Sequence, residues 1–405
     1  MNCIIAQSGG PTSVINASVV GLVEGNFEKN IFKNVYGGLN GIEGILKGNI
    51  INLSKMSKVE LDTFKHTPSS GLGSCRYKLK DYKIDETDYI KLIDILNSLN
   101  IKAFFYIGGN DSMDTTNKLS AFAKEKNIDI QFIGIPKTID NDLVFTDHTP
   151  GFGSAAKFIA TSTLEAYLDS TVYTNNGIFI LETMGRDTGW LAASTALATI
   201  EGKQVADFIY LPEVPFSEEQ FILDVKSRFK EKNHVFIVAS EGIKNKHGDF
   251  LGSINDNTTH DSFGHAQLGG VANYLKNLII QSKVTNRVKT LELGVLQRCA
   301  LHCSSKTDFE EASMVGKAAL NYVSSGYSGY MVGIKRDTNT PYKSSTFLVE
   351  ANKVANKVKY FPKEWINPKG NNITKDALLY LKPLISQLNQ LNFYDYLPKY
   401  KVFNR

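Results

Sequence analysis

The sequence predicts an α/β protein of two Rossmann-like, doubly wound lobes, with mostly parallel sheets facing one active-site cleft. Three observations carry that expectation. Short apolar runs rich in β-branched and aromatic residues alternate with helix-period patterns along most of the chain, as parallel strands joined by crossover helices do. The strand-like runs stop abruptly at glycines, acids, amides and basic residues. This strand-end chemistry recurs in both halves of the 405 residues, and domains of ~100–200 residues make two lobes the expected division. The expected division puts 1–150 plus about 299–340 in a larger lobe and 151–298 plus about 341–405 in a smaller one, although no low-complexity linker marks the boundary.

Residues 2–7 (NCIIAQ) read as a buried strand. The turn Ser8-Gly9-Gly10-Pro11-Thr12 follows, then a helix over VINASVVGLVEG with Ser13 as its N-cap. Such a strand–turn–helix start can aim backbone N–H groups at an anion, and it equally suits a plain βα connection. A strand beginning at Val35 opens a glycine-rich connector. In the loop His66–Arg76, small residues would let Arg76 approach a ligand closely. Thr87–Leu99 is an amphipathic helix with Tyr89, Ile90, Leu92, Ile93, Leu96 and Leu99 on one face. Strand Ala103–Ile107 ends in Gly-Gly-Asn-Asp-Ser, helix Met113–Glu125 follows, and strand Gln131–Ile135 ends in Pro-Lys-Thr-Ile-Asp-Asn-Asp. This β-α-β unit has the richest strand ends, and ligands of open α/β sheets sit beyond the carboxyl ends of strands.

The remaining pattern is a helix Ala155–Leu168, a strand Gly177–Glu182 closing at Met184-Gly185-Arg186, a helix Leu191–Thr199 and a strand Phe208–Leu211. Then come a helix Glu218–Lys230, a strand His234–Ser240 closing at Glu241, a helix Ala266–Ile280 and a strand Thr290–Val295 closing at Arg298. Two helices, Phe309–Ser324 and Lys375–Leu388, complete it.

Composition narrows the function class. Hydrophobic and charged shares of 42% and 21% describe an ordinary globular protein. A net charge of +4 is too weakly basic to imply nucleic acid. No apolar run approaches the ~18–20 residues of a membrane span, and MNCIIAQSGG lacks the basic and apolar regions of a signal peptide. Cys3, Cys75, Cys299 and Cys303 form no CxxC pair. Cys299, His302 and Cys303 cluster without a second group to complete four metal ligands, so reduced cysteines in a cytoplasmic protein are expected.

The strand-end set comprises Gly10, Arg76, Asn110, Asp111, Lys137, Thr138, Asp140, Asp142, Met184, Gly185, Arg186, Glu241, Lys289 and Arg298. It mixes carboxylates, cations and glycines, with no Ser/His/Asp order. Cations for phosphates, acids for a metal and one acid as a base suit phosphoryl transfer, which needs mainly positioning and charge stabilisation. Asp140 and Asp142 could equally be turn-formers.

The motifs SGGPTSVINA, GGNDSMDT, PKTIDND, ETMGRDTGW, SEG, FGHAQLGG, LGVLQRCALHCSSKTD and FPKEWI, in this order, resemble the phosphofructokinase family and, within it, its pyrophosphate-dependent branch. The resemblance covers nearly the whole chain. It implies a glycolytic enzyme that phosphorylates the 1-hydroxyl of fructose 6-phosphate with Mg²⁺, assembled as a homodimer or homotetramer with the sugar site shared between subunits. It makes Asp140 the general base and places Gly10 and Arg76 at the phosphoryl donor. Thr138, Ile139, Met184, Gly185, Arg186, Glu241 and Arg298 fall on the sugar-phosphate side. Lys289 falls where an arginine from a neighbouring subunit often meets the 6-phosphate.

Two positions select the donor. ATP-using relatives carry glycine where this chain has Asp111 and Lys137. A carboxylate at Asp111 opposes the α-phosphate of a nucleotide, and the Lys137 ammonium fills that space and can hold pyrophosphate. Three positions depart from the family. Asn110 stands at a common Mg²⁺-binding aspartate, leaving more of the metal to Asp111, Asp140 or Asp142. Val295 replaces a histidine or tyrosine near the sugar phosphate, and Gly177 a subunit-bridging arginine. An ATP-dependent enzyme and a non-catalytic sugar-phosphate-binding subunit are the alternatives; Asp111 and Lys137 argue against the first, Lys137 and Asp140 against the second.

Overall fold

The computed structural model describes residues 1–174, 176–253 and 269–386, with two short strands at 393–394 and 397–398. Most of the FGHAQLGG motif, the expected helix start at Ala266 and the expected helix end at Leu388 lie outside the described residues.

The chain begins with β1 (Asn2–Gln7), α1 (Ile15–Lys29), β2 (Asn34–Gly38), α2 (Gly41–Ile45), β3 (Ile50–Asn52), α3 (Lys58–Lys65), α4 (Thr87–Ser98), β4 (Ile101–Gly108), α5 (Asn110–Glu125) and β5 (Gln131–Pro136). It continues through α6 (Phe152–Ser170), β6 (Gly177–Thr183), α7 (Trp190–Ser194), a small hairpin of β7 (Thr199–Ile200) and β8 (Lys203–Gln204), β9 (Phe208–Tyr210), α8 (Glu218–Lys232), β10 (His234–Ser240), α9 (Val271–Gln281) and β11 (Val288–Glu292). Last come α10 (Leu296–Cys299), α11 (Lys306–Ser324), β12 (Tyr330–Asn339), β13 (Tyr342–Glu350), α12 (Ala351–Val354) and α13 (Lys375–Leu381).

Two compact units result. One holds 1–154, 298–358 and Ser386; the other holds 155–297 and 359–385. The chain crosses back at 358 and not at about 340, because β13 pairs antiparallel with β12 from Tyr330↔Glu350 to Asn339↔Tyr342. Arg298 belongs to the first unit, whereas the sequence pattern groups it with the smaller lobe. Polar residues from Lys335 to Asn339 hide this hairpin from any reading of apolar periodicity.

The first unit is organised by a seven-stranded sheet of order β13-β12-β5-β4-β1-β2-β3. β2, β1, β4, β5 and β12 run parallel, and only the edge strands β3 and β13 are antiparallel. Side chains of a strand alternate between faces, and both faces here are apolar. Ile5, Phe105 and Ile133 pack one core with Val19 of α1 and Leu320 of α11. Ile4, Phe104 and Phe132 pack the other with Tyr89 of α4 and Phe122 of α5. From β1 the chain goes to β2 on one side and later to β4 on the other. The switch point therefore lies at the carboxyl ends of β1 and β4, where open α/β sheets bind ligands.

The second unit has a four-stranded, all-parallel sheet of order β11-β6-β10-β9. Ile180, Val235 and Ile237 pack with Phe221 of α8 and Leu275 of α9 on one face. On the other, Phe179 stacks on Phe236 at 5.1 Å between centroids, and Tyr167 of α6 meets Phe236 edge-on.

Several boundaries move. Ser13 does not cap α1; Val14 holds that position without a side-chain cap. Ile90 is half exposed, so the apolar face of α4 is the narrower set Tyr89, Leu92, Ile93 and Leu96. The helix expected over Leu191–Thr199 is only a short α7 continued by a 3₁₀ turn. Two shifts bear on function. α5 begins at Asn110 and not at Met113, which puts Asn110 and Asp111 in its first turn. β11 ends at Glu292 and not at Val295, which moves Lys289 inside the strand and leaves Val295 exposed beyond it.

Candidate active site

In the first unit the loop after β1 is stapled to its neighbours. Ser8 N–H donates to the Ile107 carbonyl of β4 at 2.9 Å, and the Ser8 and Ser112 hydroxyls hydrogen-bond each other. Gly9 N–H donates to the Cys75 carbonyl at 3.2 Å, and the Ser74 hydroxyl donates to the Gly9 carbonyl at 2.6 Å. These bonds draw the segment carrying Arg76 to the end of β1. Gly9 has φ of +73°, a left-handed conformation that side chains rarely adopt, and a Cβ there would meet the Lys137 Nζ at 3.3 Å.

Lys137 follows β5 and is the buried cation of this end of the sheet, with 2% of its surface exposed. Its Nζ donates to the Gly10 carbonyl at 2.6 Å. Burial lowers its pKa. The charges of Arg298 and Arg76 push the same way, Asp140 and Asp142 oppose them, and the result is about 8. Lys137, Asp140, Asp142, Arg76 and Arg298 thus form one electrostatic cluster. The position a Cβ would take on Gly10 lies 3.9 Å from the Arg298 Nε, which ties Arg298 to the same loop.

Asp140 is set by a local turn. The Thr138 hydroxyl accepts the Asp140 N–H at 3.0 Å and lies 3.5 Å from its Oδ2. Thr138 is itself held by its neighbours: its N–H donates to the Pro150 carbonyl at 3.2 Å, and the Thr149 hydroxyl donates to its carbonyl at 2.9 Å. Asn141, with φ of +53°, turns the chain so that Asp140 and Asp142 remain half buried between buried neighbours. Ile139 is only 5% exposed, so its side chain is core and its backbone is what a ligand could meet. Asn110 and Asp111 are half buried at the head of α5, where the carboxylate faces the positive end of the helix dipole.

In the second unit a loop cluster lies at the carboxyl ends of the paired strands β6 and β10. Gly185 N–H donates to the Glu241 Oε1 at 3.2 Å, the Ser240 hydroxyl donates to the Gly185 carbonyl at 2.6 Å, and Glu241 N–H donates to the Thr183 carbonyl at 2.9 Å. Gly185 has φ of +131°, and a Cβ there would meet the Thr188 carbonyl at 2.7 Å, so this bend needs glycine. Met184 N–H donates to the Gln297 Oε1 at 3.1 Å. Met184, Gly185, Arg186 and Glu241 therefore share one loop cluster. Lys289 does not join it within the chain. It sits three residues before the end of β11, is exposed, and pairs with Asp169 at 3.5 Å. Val295 makes no described contact with the cluster and is 69% exposed.

Sequence reasoning missed the residues that hold these loops. Gln297 stands inside a quoted motif, yet only the fold shows its amide oxygen on Met184. Glu182 is buried at the end of β6 and accepts the Ala272 N–H at 2.7 Å; burial raises its pKa to about 7, with Glu292 and Glu241 adding to the effect.

Each unit is a parallel α/β body whose strand-end loops carry charged residues and glycine turns, a class of fold that suits phosphoryl transfer. The chain belongs to the phosphofructokinase family, whose model, described as Phosphofructokinase, matches residues 2–323. A relative from Halomonas elongata, named pyrophosphate–fructose 6-phosphate 1-phosphotransferase, is 40% identical over 402 residues, spanning 98% of this chain and 95% of its own. Among solved structures, the pyrophosphate-dependent phosphofructokinase of Nitrosospira multiformis superposes with a TM-score of 0.88 at 36% identity, covering 99% of this chain and 95% of that one. That of Marinobacter aquaeolei gives 0.87 at 38% identity, covering 100% and 97%.

Proposed function

We propose that this chain transfers a phosphoryl group from pyrophosphate to the 1-hydroxyl of fructose 6-phosphate, giving fructose 1,6-bisphosphate and phosphate, as a reversible glycolytic step. The observation that carries the reading is the Lys137 ammonium, buried against Gly10 within reach of the charges of Asp140, Asp142, Arg76 and Arg298. The names of its full-length relatives support the same reaction.

Chemically, Asp140 takes the proton of the 1-hydroxyl as that oxygen attacks the terminal phosphorus. Lys137, Arg76 and Arg298 offset the charge on the transferring group and on the departing phosphate. Gly9 and Gly10 let the backbone approach the donor. Asp111 keeps a nucleotide's α-phosphate away, since a second negative charge in a half-buried site is costly. Met184, Gly185, Arg186 and Glu241 bind the sugar phosphate, with Thr138 and Ile139 presenting backbone to it. Lys289 reaches the 6-phosphate bound by a second copy of the chain, which makes the working form a homodimer or homotetramer.

The oxygen donors of Asn110, Asp111, Asp140 and Asp142 suit Mg²⁺. This ion takes one or two carboxylates plus substrate phosphates and waters, so it needs no group of three close acids; none occurs among the described residues. When bound, Mg²⁺ would neutralise phosphate charge. No described helix is long and apolar enough to cross a membrane, and we place the enzyme in the cytoplasm.

Side-by-side initial rates with pyrophosphate and with ATP, at saturating fructose 6-phosphate, test the proposal. Turnover should require pyrophosphate and need no other protein. A preference for ATP would overturn the donor assignment, and silence with both donors would favour a non-catalytic subunit.

A further inference from the structure

His148 lies in the loop between the Thr138–Asp142 turn and α6, and is 1% exposed. Its Nδ1 meets the Asp147 Oδ1 at 2.8 Å and its Nε2 meets the Glu311 Oε2 at 2.6 Å. Both ring nitrogens face carboxylate oxygens, so both must donate, and the ring is an imidazolium. Burial opposes that charge; Glu311 and Asp147 outweigh it and raise the pKa to about 9.

Further donors reach the same two carboxylates. Glu311 Oε1 accepts the Tyr342 hydroxyl at 2.6 Å and the Ser344 hydroxyl at 2.7 Å. Asp147 Oδ1 accepts Arg336 Nε at 3.1 Å and its Nη2 at 2.9 Å. Two cations and two carboxylates balance, and α11 and the β12–β13 hairpin become the anchor for the loop. Along that loop Ile334 N–H donates to the Thr146 hydroxyl and Asp147 N–H to the Ile334 carbonyl, each at 2.9 Å. Gly151 N–H donates to the Asp308 Oδ1 at 2.8 Å. Between these anchors sit Thr149 and Pro150, the two residues that hold Thr138, whose hydroxyl in turn holds Asp140.

We infer that His148 is a positioning residue for phosphoryl transfer, acting through Thr149 and Pro150 on Thr138 and so on the orientation of Asp140. The inference rests on Asp140 being the proton acceptor. A misplacement near 1 Å is worth about 100-fold in rate, so a single anchored loop can matter this much without touching substrate.

The test is a double-mutant cycle in the full chain, measuring kcat and both KM values with pyrophosphate. His148→Asn should lower kcat about 10- to 100-fold while both KM values stay within about threefold. On a Thr138→Val background, which keeps the backbone bonds to Thr149 and Pro150 but removes the hydroxyl that holds Asp140, the same change should cost less than about twofold more. A His148→Asn enzyme with wild-type kcat would overturn the inference. So would an equal loss on both backgrounds, the mark of general loosening. If His148→Asn does not fold, Glu311→Gln, which keeps the acceptor and removes its charge, is run through the same cycle with the same criteria. Asp140→Ala, measured alone, reports separately on the base: near-normal turnover there would sink the assignment of Asp140 whatever His148 does.

Discussion

The Lys137 Nζ lies 2.6 Å from the Gly10 carbonyl oxygen, joining the loop after β5 to the loop after β1. β4 runs between these two strands, so the bond spans the end of the sheet at its switch point. A cation held there by one carbonyl keeps its other two hydrogens for a ligand.

Replacing Lys137 with Met keeps the volume and removes the charge. It should lower kcat/KM for pyrophosphate by about 10²- to 10³-fold, the usual cost of losing one preorganised donor. The wild-type pH profile should reflect the same group. With its pKa near 8, the charged form dominates below pH 8, and kcat/KM for pyrophosphate should decline as pH rises through that value. Initial rates from pH 6 to 10 check both, and a profile flat to pH 10 would separate Lys137 from donor binding.

Asp140→Ala should abolish turnover while fructose 6-phosphate still binds, as measured by calorimetry. The loss should reach at least about 10²- to 10⁴-fold, the range for a general base.

Asp111→Gly should admit nucleotide. Removing the carboxylate from the first turn of α5 restores a helix N-terminus attractive to phosphate. Titration with ATP should reveal binding at least about tenfold tighter than wild type, roughly 1.4 kcal/mol. Unchanged nucleotide affinity would remove the charge argument for donor choice.

His148 makes stability pH-dependent. Its pKa rises from 6.5 to about 9 on folding, so its contribution is fully present below pH 6.5 and is lost as pH rises through 9. The Tm gap between wild type and His148→Asn should be widest near pH 6 and shrink by pH 9.5. A gap independent of pH would mean that folding does not raise the pKa of the ring.

Asn110→Asp should lower the Mg²⁺ concentration for half-maximal rate by about tenfold, because a carboxylate supplies the charge an amide lacks. An unchanged requirement would take Asn110 out of the metal site.

The strand runs and the strand-end motifs, with Asp111 and Lys137 among them, were legible because they are local. Periodicity marks β1, β4, β5, β6 and β10, and the residues after each strand sit where the parallel fold must present them. The β12–β13 hairpin was not legible, since its outer half is solvent-exposed and polar. Nor were the links made by Gln297, Thr149 and Ser74, because a hydrogen bond between residues far apart in the chain leaves no spacing to read.

By itself, then, the sequence determined the two-lobed α/β class and most of the side chains that stand at the strand ends, Lys289 and Arg298 excepted. Only the tertiary structure decided their company. It grouped Arg298 with Gly10 and Lys137, kept Lys289 three residues short of its strand end, and buried His148 between two acids. Strand order and loop closure are set by packing across the whole sheet, and burial and charge pairing follow from that packing.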